Sequence, residues 1–194
     1  MQHAPRLCLL LLSVLLATPA WSTSVERLDH AQLVEHASTI FWGRCLEVRC
    51  EWNAERTQIF TVARFAPSAV LKGERQAVVE LKVPGGRLDG KAYVIHGMPT
   101  FTAGEEAVVY VTRPHSKSGV CVPVGLGQGY YKVDRTGRDG RPAVARRDTR
   151  DLNLVDPDDP QGAGPGRVEH LPLDRLLERV RAEVERQRRA SGPR

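Results

Sequence analysis

The side chains in this chain best suited to chemistry at neutral pH are six histidines, four cysteines and the carboxylates near them. Their spacing limits what each set can do. His30 and His36 are six residues apart in a predicted helical stretch, about 120° from one another around the axis, so they do not share a metal ion as an i, i+4 pair would. Both are expected at the surface. His96 and His115 lie on or beside adjacent predicted strands, and with Glu105 or Glu106 they would be the makings of an acid–base or metal site. No second spacing signal accompanies them, so structural histidines are expected, with no metal and no cofactor. Gly125, Gly127 and Gly129 are spaced as in a phosphate loop, but Tyr130-Tyr131-Lys132-Val133 follows with a strand pattern. No helix N-terminus therefore faces a phosphate, and turn glycines are the better reading. Neither a Gly-x-Ser-x-Gly elbow nor a His-Glu-x-x-His helix occurs, which removes the commonest secreted hydrolase signatures.

The cysteines take their meaning from the N-terminus. Arg6 gives a short basic start, Leu7 to Ala17 is almost wholly apolar, and Ala20-Trp21-Ser22 offers small residues where a signal peptidase reads. Residues 1–22 are read as a secretory signal peptide, cleaved after Ser22, which places the protein in the periplasm or outside the cell. The apolar run is about eleven residues, well short of the twenty or so a spanning helix needs, and no later segment matches it. Cleavage removes Cys8 and leaves Cys45, Cys50 and Cys121, an odd number in an oxidising compartment. Cys45 and Cys50 sit five apart in a predicted strand, facing opposite ways and about 16 Å apart. Cys121 is therefore the expected disulfide partner of one of them, Cys45 or Cys50. No neighbouring base marks any of the three as a nucleophile.

About 170 residues remain after cleavage, enough for one domain with a real core. The formal net charge of the chain is +5, carried by 23 Arg and only 5 Lys. Acidic residues are interspersed through both basic stretches, Asp134 to Asp151 and Arg167 to Arg194, which is unlike a surface that tracks nucleic-acid phosphates. No nucleic acid and no membrane span are expected.

The elements follow from periodicity. Thr23-Ser24-Val25-Glu26 fits a capping box and predicts a helix carrying Leu28, Ala31, Leu33, Val34 and Ala37. Ile40 to Cys50 and Thr57 to Phe65 read as a hairpin around Asn53-Ala54-Glu55-Arg56, with Pro67 interrupting and Gly73 closing the unit. Val79, Leu81 and Val83 alternate with Glu80 and Lys82, and Asp89-Gly90 supplies a turn before Ala92 to His96. Ala107 to Val111 is apolar on both faces and suits a central strand. Further strands are predicted at Val120 to Val124, Gly129 to Asp134 and Ala143 to Arg147. Residues 23–155 then form one β domain with a leading helix. The Pro- and Gly-rich residues 156–170 read as an unpacked linker, 171–190 as an amphipathic helix docking on the domain through Leu173, Leu176, Leu177, Val180 and Val184, and 191–194 as a frayed tail. Short strands at regular spacing favour a small antiparallel barrel.

One ordered set of motifs carries a resemblance. A helix leading into Phe41-Trp42-Gly43-Arg44, then Val70-Leu71-Lys72-Gly73, Val83-Pro84-Gly85-Gly86, Gly97-Met98-Pro99 with Phe101 and Gly104-Glu105, and Pro123-Val124-Gly125 through Gln128-Gly129 resembles a family of uncharacterised secreted bacterial proteins. Members of that family are often encoded near secreted metalloproteases. More distantly, the strand, Leu-Lys-Gly and strand order is similar to the netrin-like module of tissue inhibitors of metalloproteinases. This resemblance implies an OB-like five-stranded barrel with helices packed on it. Those inhibitors chelate the protease zinc through an N-terminal cysteine, whereas this mature chain should begin near Thr23 with no cysteine until Cys45. That mode of inhibition is not implied.

The sequence therefore predicts a mainly β, OB-like (netrin-like) antiparallel barrel with an N-terminal and a C-terminal helix, acting as a secreted non-enzymatic binding module. A protein partner is expected, an exported protease or a cell-envelope component. OB-type barrels bind on their central strands and adjoining loops, so Trp52, Tyr93, His96, Met98 and Phe101 are the candidate binding residues. The alternatives are a small hydrolase or metal-dependent enzyme using His96 and His115, and a structural envelope protein.

Overall fold

A computed structural model of the protein describes residues 23–135, 142–159 and 162–192. The expected signal peptide, residues 1–22, lies outside the described residues. The chain is mainly β. Its elements are β1 (Thr23–Glu26), α1 (His30–His36), β2 (Thr39–Trp52), β3 (Ile59–Lys72), β4 (Val79–Pro84), β5 (Gly86–Leu88), β6 (Lys91–Tyr93), β7 (Glu106–Val111), a 3-10 turn (Leu126–Gly129), β8 (Tyr130–Asp134), β9 (Val144–Asp148), β10 (Leu152–Val155), β11 (Gly164–Pro165), β12 (Val168–Pro172) and α2 (Leu173–Ala190).

Seven strands form one antiparallel sheet in the order β12-β9-β8-β7-β2-β3-β4. The central position of β7 follows from its composition, since all five residues from Ala107 to Val111 are buried. Val108 and Tyr110 face the helices, packing with Leu33, Val34, Leu176 and Val180. Ala107, Val109 and Val111 face the other way, into a core built around Phe41, Phe65, Leu81 and Phe101. The sheet is open, with β12 and β4 at its two ends, and the described residues form no closed barrel. The segment expected as a strand at Val120 to Val124 makes only two isolated bridges, Lys82 with Cys121 and Val111 with Pro123.

Several local readings are corrected by long-range pairing. Thr23–Glu26 is a strand, not a helix start, because it pairs in parallel with Leu152–Val155. The helix begins six residues later, with Asp29 in place of Thr23 as its N-cap. The Asp29 side chain accepts from the Gln32 N–H at 2.8 Å, and the Gln32 side chain accepts from the Asp29 N–H at 2.8 Å. β3 runs through Pro67, which sits opposite Gly43 at a register shift in β2. β4 covers β3 only along Phe60–Phe65, so a residue without an N–H is tolerated beyond it. A Cβ on Gly43 would stand 2.5 Å from the Ala66 carbonyl oxygen, so the crossing of the two strands requires glycine there. The stretch expected as an unpacked linker contributes β11, paired with β10, and much of β12, paired with β9.

Helix α2 docks as its apolar spacing predicts. Leu173, Leu176, Leu177 and Val180 are buried against α1 and the sheet, and Val184 packs beside them. The Gln187 side chain donates to the Ala31 carbonyl at 2.8 Å, tying the two helices together. Leu176 is 1% exposed, so Leu176→Ala is expected to destabilise the fold by about 3 kcal/mol, read as a fall in the thermal unfolding midpoint. The exposed Arg181→Ala should leave it unchanged. Equal midpoints for the two variants would show that α2 is not part of the cooperative unit.

Candidate functional site

The β5–β6 hairpin builds one wall of a largely apolar concavity. β4 ends in Pro84-Gly85-Gly86, where both glycines have positive φ, +109° and +141°. A side chain at Gly86 would lie 2.8 Å from both the Cys50 sulfur and the Thr61 hydroxyl, so glycine lets the hairpin fold down against β2 and β3. Thr61 Oγ1 donates to the Gly85 carbonyl at 2.8 Å and the Gly85 N–H donates to Ile59 at 2.9 Å, which fixes the fold-over. The tip is Asp89-Gly90, with φ positive at both residues as a two-residue hairpin turn demands.

Beyond β6 the chain returns along the opposite side of a cleft of about 480 Å³. Val48, Cys50, Thr61 and Val83 line it from the strands, Tyr93, Val94 and Ile95 from the hairpin side, and Met98 to Phe101 from the returning loop. Tyr93 and Val94 are left 41% and 61% exposed, and with Leu46 they are the exposed large apolar side chains of the described surface.

Three of the five expected binding residues, Tyr93, Met98 and Phe101, meet at this cleft. Phe101 is mostly core. It packs edge-on against Phe65 and Tyr130, with ring centroids 5.9 and 5.5 Å away. Trp52 lies outside the cleft and anchors the hairpin, its indole N–H donating to Asp89 at 2.8 Å and the Lys91 ammonium standing 5.5 Å from its ring. His96 is exposed and does not line the cleft. The residues that sequence reasoning missed are Val48, Cys50, Thr61, Val83, Val94 and Ile95. Adjacent apolar residues immediately after a hairpin turn, Val94 and Ile95, were the available signal.

The cysteine geometry differs from the one expected. A register shift between Cys45 and Glu47 leaves Leu46 and Glu47 both exposed, so Cys45, Val48 and Cys50 all turn to the same face. All three cysteines are free. The expected disulfide from Cys121 to Cys45 or Cys50 is not formed: the Cys45 sulfur contacts the Glu47 carbonyl at 3.6 Å, Cys121 the Glu80 carbonyl at 3.4 Å, and Cys50 the Thr61 hydroxyl at 3.7 Å. Burial raises the pKa of the Cys45 and Cys121 thiols, and for Cys45 the nearby Glu105 charge adds to it. Neither is poised as a thiolate nucleophile.

The carboxylates of the alternative site are already engaged. Glu105 accepts from the Tyr130 hydroxyl and pairs with Lys132 at 3.2 Å, while Glu106 pairs with Arg44 at 2.7 Å and Arg135 at 3.0 Å. Burial and then the bond to Glu105 push the Tyr130 phenol far above its usual range, so it stays protonated. His115 hydrogen-bonds the Ser118 hydroxyl at 3.0 Å. Among the described residues no three His, Cys, Asp or Glu side chains gather as metal ligands. No described helix is long and apolar enough to cross a membrane. A second, polar concavity between α1 and β12 holds Arg147, Arg167 and Arg179, with Glu169 shared between Arg147 and Arg167 as their ion-pair partner.

His30, expected at the surface from its spacing, is half-buried. Its ring stands edge-on to Tyr110 at 6.5 Å and its Nε2 meets the Arg179 carbonyl at 3.3 Å. Burial lowers its pKa below the usual 6.5. The unfolded chain then takes up the proton first as pH falls, so this group's contribution to stability is complete above 6.5 and declines below it. His30→Gln should therefore narrow the difference in melting temperature between about pH 7.5 and pH 5.5. An unchanged difference would remove His30 as its source.

Compared with protein-family models, with curated proteins and with solved structures, the chain matches none of them.

Proposed function

We propose that the protein is an exported, non-enzymatic binding module that takes an apolar segment of another protein into the cleft between the β5–β6 hairpin and the loop from Ile95 to Phe101. A secreted protease or a cell-envelope component is the partner. The observation that carries this reading is the exposure of Tyr93 and Val94 at a cleft whose other walls include Val48, Val83, Ile95 and Met98. Apolar side chains grouped at a concave surface mark binding sites, and about 480 Å³ is within the range of pockets that enclose several side chains.

Three further points support the reading. The leader-like residues 1–22 and the resemblance to secreted proteins favour export. The commitment of Glu105 and Glu106 to ion pairs favours binding over the hydrolase alternative. The OB-like form draws support from the segment around Cys121 and Pro123, which touches β4 at Lys82 and β7 at Val111, the two strands bounding the β7-β2-β3-β4 run.

The test is recovery of a partner from culture supernatant by the tagged protein and by variants at the cleft mouth. Tyr93→Ala with Val94→Asp should weaken binding about thirtyfold or more, the loss expected when a central apolar anchor is removed. Lys117→Ala, away from the cleft, should leave recovery unchanged. Full recovery by a folded double variant would sink this surface. Phe101 is left intact because an aspartate there would open the core.

A further inference from the structure

The outer half of β2 is an unpaired sheet edge. β7 covers β2 only along Thr39–Arg44, and the Cys45 main chain is then taken by Gly104 and Glu105, at 2.8 Å each. Past that point no described strand pairs with Leu46 to Trp52 on the side away from β3. The direction of the free groups follows from the hairpin. The Asn53 N–H donates to the Gln58 carbonyl at 2.9 Å, so in an antiparallel ladder Glu51 and Arg49 exchange bonds with β3 while Trp52, Cys50 and Val48 turn their N–H and C=O groups outward. Ile59 agrees: it stands opposite Trp52, and its carbonyl accepts from Gly85 on the far side of β3. Three residues thus present six main-chain donors and acceptors in a row, a template for another strand.

We propose that this edge joins two copies of the chain, β2 pairing antiparallel with β2 of a second copy about a two-fold axis at Cys50. The register is set by elimination among the outward-facing residues. A centre at Val48 would drive residue 51 of the second copy into Gly104 and Glu105, which already occupy Cys45. A centre at Trp52 would set Cys50 against the turn around Ala54 and lose most of the ladder. The centre at Cys50 places Arg49 opposite Glu51 of the second copy, and Glu51 opposite its Arg49, so the charges on the strand's outer face are self-complementary. It also sets Val48 opposite Trp52, an apolar pair with an aromatic member, and brings the half-exposed Leu46 toward the β2–β3 turn of the second copy. Within one chain Arg49 stands 3.7 Å from both Glu51 and Glu80 and Glu51 pairs with Lys82 at 2.8 Å, and both side chains stay partly exposed, so the new pairing would extend this charge cluster across the two copies.

The experiment is sedimentation equilibrium on the purified protein alone, which keeps it separate from the partner binding proposed above. The expected result is a reversible dimer with a dissociation constant on the order of 10 µM, suited to a short interface. Arg49→Glu sets like charges opposite one another twice and should weaken dimerisation about tenfold or more, while Arg49→Glu with Glu51→Arg should restore it. Rescue by the swap separates a lost contact from a damaged fold. Paired main chains also set the two Cys50 Cα atoms about 5.5 Å apart, within reach of a disulfide. Copper phenanthroline, which accepts the two electrons as two thiols lose their protons and join, should cross-link the wild-type dimer and not Cys50→Ser. A wild-type monomer at about 0.1 mM, a dimer indifferent to Arg49→Glu, or a monomer whose β2 edge takes up only foreign extended peptides would each overturn the proposal.

Discussion

Val108, Val109, Tyr110 and Val111 stand alternately on the two faces of β7, and water reaches almost none of their surface. A strand of this kind is stable only when both faces of its sheet are covered, so whatever lies above and below it settles the architecture. The two helices cover one face, with Leu33, Val34, Leu176 and Val180 meeting Val108 and Tyr110. On the other face Ala107, Val109 and Val111 share a core with Phe41, Phe65, Leu81 and Phe101. Dividing the core between two faces explains why a C-terminal helix is needed at all. Without α2, the Tyr110 and Tyr131 side of the sheet would be exposed to solvent. The Tyr110 hydroxyl, buried there with no partner among the described residues, shows how strongly packing outweighs a single lost hydrogen bond of about 1–3 kcal/mol.

The cleft follows from the same constraint. The helix-free face has no preformed layer, so it is covered by a hairpin folded back through two positive-φ glycines and by the loop that follows it. A hairpin of three-residue strands cannot cover the face completely. The remaining gap holds Val48, Val83 and Met98, with Tyr93 and Val94 at its mouth. Gly86 has to be glycine because its φ is +141° and a Cβ would stand 2.8 Å from both the Cys50 sulfur and the Thr61 hydroxyl, so the site and the hairpin that bounds it depend on this one position.

Much of the β2–β7 region was legible along the chain. The alternation from Val79 to Val83, the Asp89-Gly90 turn and the two-faced apolar run at 107–111 each report a local environment that side-chain pattern encodes directly. The failures share one cause. Thr23–Glu26 satisfies a capping box, yet pairs with residues about 130 positions later in the chain. Pro- and Gly-rich 156–170 has a linker's composition but supplies part of the strand that extends the sheet beyond β9. In the site, Tyr93 was identifiable in the stretch expected after the Asp89-Gly90 turn and Met98 and Phe101 in the connection that follows, whereas Val48 and Cys50 were hidden by a bulge that turns them to the face of Cys45.

By itself the sequence determined which residues must be buried, where the central strand lies and that a C-terminal helix would dock, because apolar periodicity reports the number of wet faces an element has. Only the tertiary structure decided that the sheet stays open among the described residues, that the three cysteines remain apart as thiols, that His30 packs against Tyr110 and that the cleft forms between β6 and the loop to Phe101. Those outcomes depend on register and on contacts between residues distant along the chain. A shift of one residue in a strand turns every following side chain to the other face, and composition carries no record of it.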